Sequence, residues 1–471
     1  MSSKEYENTD PFSLSNSAIG KFPEKVLQFG TGVLLKGLPD YLIQKANECG
    51  KFCGRIVMVK STNRPRNPEE SLPYHIFENG IQNKESHQQL HCITSVSREI
   101  NANTEWNSIL ELATSPDLEV IISNTTEAGL RYEEESVFAL PPQSYPAKLV
   151  AVLWARFQAG LDGLILIPCE LIPDNGSILK ELVKRQSVAN NLSTEFITWL
   201  EKENSFCNSL VDRIVSGYPG PEEKKSIETK NGFEIQGLIE SEPYLLWAIE
   251  CGEEVRKKLD WDGIHPNWIL QEDISVFRER KLRILNGTHT IMVALGILNG
   301  HKTVLECMKD PTMSAYIEQV ALTEIGPATP VDQAIAMQFA EDVLDRFRNP
   351  HIRHILLNIT LQYTMKMAMR NLATIRKYEE KFGKAPVLMA KGFAAYLHFI
   401  NPVKEQDGKW FGSLKGAFYE IQDDQAGIFS KLRKEGNFPA SVFGSPELWS
   451  GFPFSDGFKA AVLKEYEDIN Y

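Results

Sequence analysis

One nine-residue run, Lys281-Leu-Arg-Ile-Leu-Asn286-Gly-Thr-His289, holds an amine able to transfer a proton, an amide and an imidazole. On an α-helix, at about 100° per residue, Lys281, His289 and Asn286 fall at roughly 0°, 80° and 140°. Leu285 lies within that arc and Thr288 borders it. Three polar groups of different chemistry therefore face one way. The following residues, Thr290-Ile-Met-Val-Ala-Leu-Gly-Ile-Leu298, are almost wholly apolar. A helix of that kind is buried, and polar side chains at its start then need partners. A solvated helix face is the other reading of the same spacing.

The elements that must carry this run belong to a chain of 471 residues, 42% of them hydrophobic, enough for two to four domains with a sizeable core. A net charge of -12, with only a short basic cluster at Arg278, Arg280, Lys281 and Arg283, argues against nucleic acid as a partner. The polar, acidic start lacks the apolar stretch of a secretory signal, and no run of eighteen apolar residues predicts a membrane span. Seven scattered cysteines without a C-x-x-C pair fit a reducing cytoplasm and predict neither a disulfide framework nor a bound metal.

Residues 1–22 read as a polar lead-in. Lys25-Val-Leu-Gln-Phe29 is a short apolar run that stops at Gly30-Thr31-Gly32. Helical spacing follows from Val33 to Ile43, then the β-branched run Arg55-Ile-Val-Met-Val59. The pattern recurs: a helix over Trp106–Ala113 leads to the strand Leu118-Glu-Val-Ile-Ile-Ser123, and one over Tyr145–Gln158 leads to Gly163-Leu-Ile-Leu-Ile-Pro168. Strands alternating with helices predict an α/β fold with a parallel sheet covered on both faces, over residues 1–275. Residues 226–238 read as a β-hairpin or loop insertion. Beyond residue 275 apolar runs at 290–298, 313–322, 333–344, 352–375 and 388–399 keep a period near 3.6, which predicts a mostly α-helical C-terminal domain over residues 276–471.

Gly30 and Gly32 sit between a strand and a helix, where backbone N–H groups and a helix start can face a pyrophosphate. The third small residue of G-x-G-x-x-G would be position 35, which is Leu. The second strand ends Val59-Lys60-Ser61-Thr62-Asn63-Arg64, without the acid that accepts from the adenosine ribose of NAD. That leaves NADP open beside NAD. Ser123-Asn-Thr-Thr-Glu-Ala-Gly129 follows a central strand, where the nicotinamide half of a dinucleotide lies in such folds. A helix N-cap at Asn124 or Thr125 is the second reading there.

On these residues the chain resembles the polyol-specific long-chain dehydrogenase/reductase (mannitol dehydrogenase) family, and within it the tagaturonate reductase (altronate oxidoreductase) branch. The resemblance covers residues 24–460. Its motifs are Gln28-Phe29-Gly30-Thr31-Gly32 with Lys36, the segment after Ser123, Pro168-Cys-Glu170-Leu-Ile-Pro-Asp-Asn175-Gly176, Asp212-Arg213, and Lys281…Asn286…His289. It implies a Rossmann-type first domain, a nicotinamide cofactor and metal-independent hydride transfer by a monomeric enzyme. Phe29, Gly30, Thr31, Gly32, Lys36, Asn124 and Thr125 would bind the cofactor. Lys281 would be the general acid in ketone reduction and the base in the reverse direction. Asn286 would hold the substrate oxygen, and His289 would orient hydroxyls. A lysine of about pKa 10.4 needs burial or nearby cations to work near neutral pH. Arg280, Arg283 and the apolar helix would supply them.

Mannitol dehydrogenases of the family carry a second amide donor where this chain has Leu171, which cannot donate. Glu170, Asn175 and Asp212 are then candidates for touching substrate or supporting Lys281. The implied substrate is a keto-uronate, whose carboxylate calls for Arg or Lys. Candidates are Arg346, Arg348, Lys366 and Arg370, each with an exposed helix cation as its alternative. Relatives acting on fructuronate or mannitol, and a dinucleotide sensor that kept the fold without the chemistry, are the competing functions. His351, Arg353 and His354 read as a polar helix face.

Overall fold

The computed structural model describes residues 18–469 except 64, 66, 68, 69 and 126, so Arg64 and most of the polar lead-in lie outside the described residues. The chain divides into two compact units. The boundary falls between Ile274 and Ser275, and the segment Gly80–Ser86 groups with the second unit.

Continuous β-branched and leucine runs, buried on both faces, build the first unit. Six strands, Glu24–Phe29, Arg55–Lys60, Val96–Asn101, Val120–Ser123, Ile165–Pro168 and Ser205–Phe206, pair in parallel. Counted in chain order, the sheet runs third, second, first, fourth, fifth, sixth. That is the Rossmann order, with the strand sequence reversing beside the first strand. Alternate residues serve opposite layers. Val26, Ile56, Met58, Ile122 and Ile167 join one apolar cluster with Tyr41 and Leu42. Leu27, Val57, Val59, Ile121 and Leu166 join another with Trp106, Ile109, Leu149 and Leu153.

Several expectations change. The helix expected from Val33 to Ile43 breaks into Val33–Gly37 and Pro39–Glu48, because Pro39 lacks an N–H and restarts the helix at its first position. Val96–Asn101 is an edge strand whose Ser97, Arg98 and Glu99 interrupt the apolar signal; Arg98 pairs with Glu24 at 2.9 Å. Of residues 226–238, expected as a hairpin or loop, 226–231 end the helix Pro221–Asn231, 232–237 form a loop, and Leu238 begins a strand. The helix starts on Pro221 with Glu222 and Glu223 and stops at Gly232 (φ 83°). Ile227 is its only buried residue, so no apolar period betrayed it. A hairpin, Tyr74–Gln82 with Glu85–Ile93, turns at Asn83 and Lys84, both with positive φ.

In the second unit one long helix runs as Ser275–Arg280, a π segment Lys281–Asn286, and Gly287–Leu298. Two more π segments, Val320–Ile325 and Ala368–Leu372, pack against the first. π-helix is rare and concentrates at functional sites. Within this unit the Lys84 N–H donates to Asp345 at 2.9 Å, and its ammonium lies 3.4 Å from Glu341. The domain is mostly helical, as expected; a small antiparallel sheet of Lys404–Gln406, Lys409–Leu414 and Ala417–Ile421 is its exception, signalled by the Asp407-Gly408 and Lys415-Gly416 turns. Among the described residues no helix is long and apolar enough to cross a membrane.

The buried helix Gly287–Leu298 lies against Val387–Phe399. Gly392 permits that approach, since a Cβ there would collide with the Ile291 carbonyl and the Tyr316 hydroxyl. Gly392→Ala is therefore expected to destabilise the second unit by about 1–3 kcal/mol, read as a Tm lowered by several degrees in calorimetry; an unchanged Tm would contradict this packing.

Candidate active site

In the first unit the turn after the first strand closes tightly. Gly30 has φ 130°, and its N–H donates to the Val59 carbonyl at 3.1 Å. A Cβ on Gly30 would stand 2.9 Å from Leu35 Cδ1 and 3.0 Å from the Asn124 carbonyl oxygen. Leu35 thus fills the space beneath the turn that a third small residue was expected to leave. On Gly32 a Cβ would meet nothing within 4 Å, so the outer side of the turn is open. Phe29 is buried at the strand end, and its carbonyl accepts from the Asn124 N–H at 3.1 Å.

Lys36, expected with this turn, is an interior group. Its ammonium donates to the Tyr218 hydroxyl at 3.3 Å and lies over the Tyr74 and Tyr218 rings. The Tyr74 hydroxyl donates to Asp40 at 2.8 Å. Burial pushes the Asp40 carboxyl up to about 7, against the opposing pull of the Tyr74 bond and the Lys36 charge.

The loop after the fourth strand is held from below. Glu170, buried, accepts from the Ser123 hydroxyl at 3.2 Å, the Thr125 N–H at 2.8 Å and the Thr125 hydroxyl at 3.0 Å. Burial raises its pKa, partly offset by those bonds. Asn124 donates to the Cys169 carbonyl at 2.6 Å. Asn175 donates to the carbonyls of Pro168, Glu170 and Ser209, and accepts from the N–H groups of Gly176 and Ser209. Its amide is committed to backbone on both sides. Glu170 likewise carries the loop. Asp212 is buried at the end of a strand paired with Leu246–Glu250. Leu171, where an amide donor was missing, is 59% exposed.

A cavity of about 600 Å³ opens at the carboxyl ends of the second and fourth strands, lined by Ser61, Thr125, Gly129, Ser144, Tyr145 and Lys148. Glu133, Glu134, Glu135 and Arg131 complete the charged part of its lining; its place at the strand ends is where a Rossmann sheet takes a dinucleotide.

In the second unit Lys281 and Asn286 open and close the first π segment, and both are half-buried. The i→i+5 pairing of a π turn brings position 286 back over position 281, where an α-helix would have set them roughly 140° apart. His289 stacks on Phe347, with centroids 4.2 Å apart, and meets His354 edge-on at 5.4 Å. Burial, aided by the Arg346 charge, holds His354 down to about 4, so that ring is neutral near pH 7.

The candidate cations separate. Arg348, a candidate for the substrate's carboxylate, is taken up by Glu318 at 2.8 Å and Asp345 at 3.3 Å. Arg346 is buried. Arg370 donates to the Thr290 hydroxyl at 3.0 Å, beside His289 in sequence, and Lys366 donates to the Ile359 carbonyl at 3.1 Å. Burial lowers the pKa of both, and Arg370 lowers Lys366 further. Among the described residues neither pairs with a carboxylate. Sequence reasoning missed Thr290, Phe347 and Asn371; their partners lie far along the chain, and no local spacing marked them.

Residues 24–263 match the mannitol dehydrogenase Rossmann domain and residues 273–470 the mannitol dehydrogenase C-terminal domain. The chain is 40% identical to the altronate oxidoreductase of Halalkalibacterium halodurans over 415 residues, 86% of this chain and 80% of that one. To the altronate oxidoreductase of Bacillus subtilis it is 34% identical over 439 residues, 91% and 89% of the two chains. Its fold resembles that of D-sorbitol dehydrogenase in substrate-free form, with TM-score 0.80, 18% identity and coverage of 95% and 93%. The mannitol 2-dehydrogenase of Pseudomonas fluorescens, in a ternary complex with NAD and D-mannitol, gives TM-score 0.64, 20% identity and coverage of 96% and 92%.

Removing the carboxylate under the strand-end loop should loosen it, because three buried donors lose their acceptor, at about 1–3 kcal/mol for each group left unsatisfied. Glu170→Ala is expected to raise the KM for the dinucleotide at least tenfold while the second unit's own thermal transition stays put. An unchanged cofactor KM would remove Glu170 from this role.

Proposed function

The chain belongs to the mannitol dehydrogenase family, and from that membership we propose that it interconverts tagaturonate and altronate in hexuronate catabolism with a nicotinamide dinucleotide. One observation carries the substrate class: Arg370, a partly buried cation without a carboxylate partner among the described residues, is bonded to the helix that bears Asn286 and His289. An anion is what such a group lacks, and the substrate of this reaction is one.

The division of labour follows from the two units. The first holds the dinucleotide, on the Gly30-Thr31-Gly32 turn and the loop at Asn124 and Thr125; when bound, that cofactor supplies or accepts the hydride. The second handles the proton and the substrate's orientation. Lys281 Nζ gives a proton to the carbonyl oxygen during reduction and takes it back from the hydroxyl during oxidation. Asn286, one π turn on, donates its side-chain N–H to the same oxygen, and with Leu171 in place of a second amide it is the amide donor at that atom. His289, fixed by Phe347, orients the neighbouring hydroxyl. Arg370, with Lys366 beside it, receives the carboxylate.

The cofactor we propose is NAD, in keeping with the Rossmann-domain match. The absence of an acid at the end of the second strand, Lys60-Ser61, favours NADP as the second reading.

Absorbance at the reduced-nicotinamide band, with tagaturonate, fructuronate and fructose, each with NADH and NADPH, tests the reading. Tagaturonate with NADH should turn over fastest, and Lys281→Ala should lose about 10²–10⁴ in kcat while binding the dinucleotide as before. A variant with undiminished turnover, or a preference for fructose, would sink the proposal. For the carboxylate subsite, Arg370→Met should raise the KM for tagaturonate roughly 10- to 100-fold, the value of a charged hydrogen bond. Equal KM values in the two proteins would place the carboxylate elsewhere.

A further inference from the structure

The π segment Lys281–Asn286, with Gly287 after it, and the π segment Ala368–Leu372 are cross-tied by a side chain in each direction. Arg283, in the first, donates through one guanidinium nitrogen to the carbonyls of Met369 at 2.6 Å and Arg370 at 3.3 Å. Its Nε donates to Glu279 at 3.0 Å one turn earlier, so the guanidinium is held from both ends. In return Asn371, wholly buried in the second segment, donates to the carbonyl of Gly287 at 3.1 Å, immediately after Asn286. The approach is close but not tight: a Cβ on Gly287 would stand in ordinary contact, 3.6 Å from both the Arg370 carbonyl oxygen and the Asn371 amide.

Both bonds satisfy carbonyls beside π turns, where the i→i+4 ladder is interrupted. Their other effect is metric. Arg283 lies between Lys281 and Asn286, and its acceptors include the backbone of Arg370 itself.

We propose that Arg283 and Asn371 are positioning residues that fix the separation between the Lys281–Asn286 turn and Arg370, so that a substrate's carbonyl and its carboxylate are met together. This rests on the reading that Lys281 and Asn286 act at the carbonyl and Arg370 at the carboxylate. Neither tying residue touches substrate. A lysine at position 283 keeps the charge but offers a single flexible point in place of a planar fork. Misplacement by about 1 Å is enough to cost roughly 100-fold in rate.

The experiment pairs kinetics with amide hydrogen exchange on Arg283→Lys and Asn371→Leu. Each variant is expected to raise the KM for tagaturonate at least tenfold more than the KM for the dinucleotide. Each should also speed exchange in both segments, 281–287 and 368–372, although only one carries the substitution. Exchange that rises only in the substituted segment, or the two KM values rising together, would overturn the proposal and leave a local packing role. Should the wild-type protein fail to turn over tagaturonate, the functional reading fails, and exchange alone still decides whether the tie exists. If Asn371→Leu does not fold, Arg283→Lys carries both readouts.

Discussion

A backbone carbonyl or N–H buried without a partner is costly, and the second unit depends on meeting that constraint where its helices change pitch. Each of its three π segments sends a side chain to a neighbour's main chain. Arg283 covers carbonyls in the third, and Asn371 covers one just after the first. Glu324, buried in the second, accepts from the N–H groups of Leu388 and Met389 at 2.9 and 2.7 Å, where Val387–Phe399 begins. Tyr363 accepts from the Ala294 N–H and donates to the Thr290 carbonyl. The helix carrying Lys281, Asn286 and His289 is thereby fixed along its length by groups that have no part in the chemistry.

The first unit solves the same problem at its strand ends. The segment from Pro168 to Asn175 looks, in sequence, like a row of groups awaiting a ligand. Folded, it is a bracket: the Glu170 carboxylate gathers Ser123 and Thr125, and the Asn175 amide ties three carbonyls and two N–H groups. Support of this kind from beneath holds a strand-end loop in one shape without the loop having to be long.

The parts legible in the sequence were those whose physics is local. Four strands of the sheet were readable because both their faces are buried, which makes Ile56 to Val59 or Val120 to Ile122 apolar without interruption. Val96–Asn101 was not, since an edge strand admits Arg98 and Glu99. The π turns were invisible: the same residues satisfy i→i+4 or i→i+5, and the choice is made by packing. The candidate catalytic groups stood out by type and spacing. Their supports did not, because Asn371 and Phe347 meet their partners only in three dimensions. Nor could residue type separate Arg348 from Arg370; Asp345, three residues before Arg348 on its helix, was a local hint, but Glu318 lies thirty residues away and meets it only in the fold.

The helical unit is not one stretch of chain. Its seven-residue outlier, Gly80–Ser86, is made long before Glu341 and Asp345, the groups that Lys84 engages. Domains generally fold in the order they leave the ribosome, amino-terminal first. Here that order is incomplete by construction: a nascent chain that has finished the Rossmann sheet still holds a hairpin tip whose partners have yet to be synthesised. Swapping C-terminal halves between relatives at residue 275 would likewise leave this tip facing a stranger, so an exchange that respects the fold must carry both pieces.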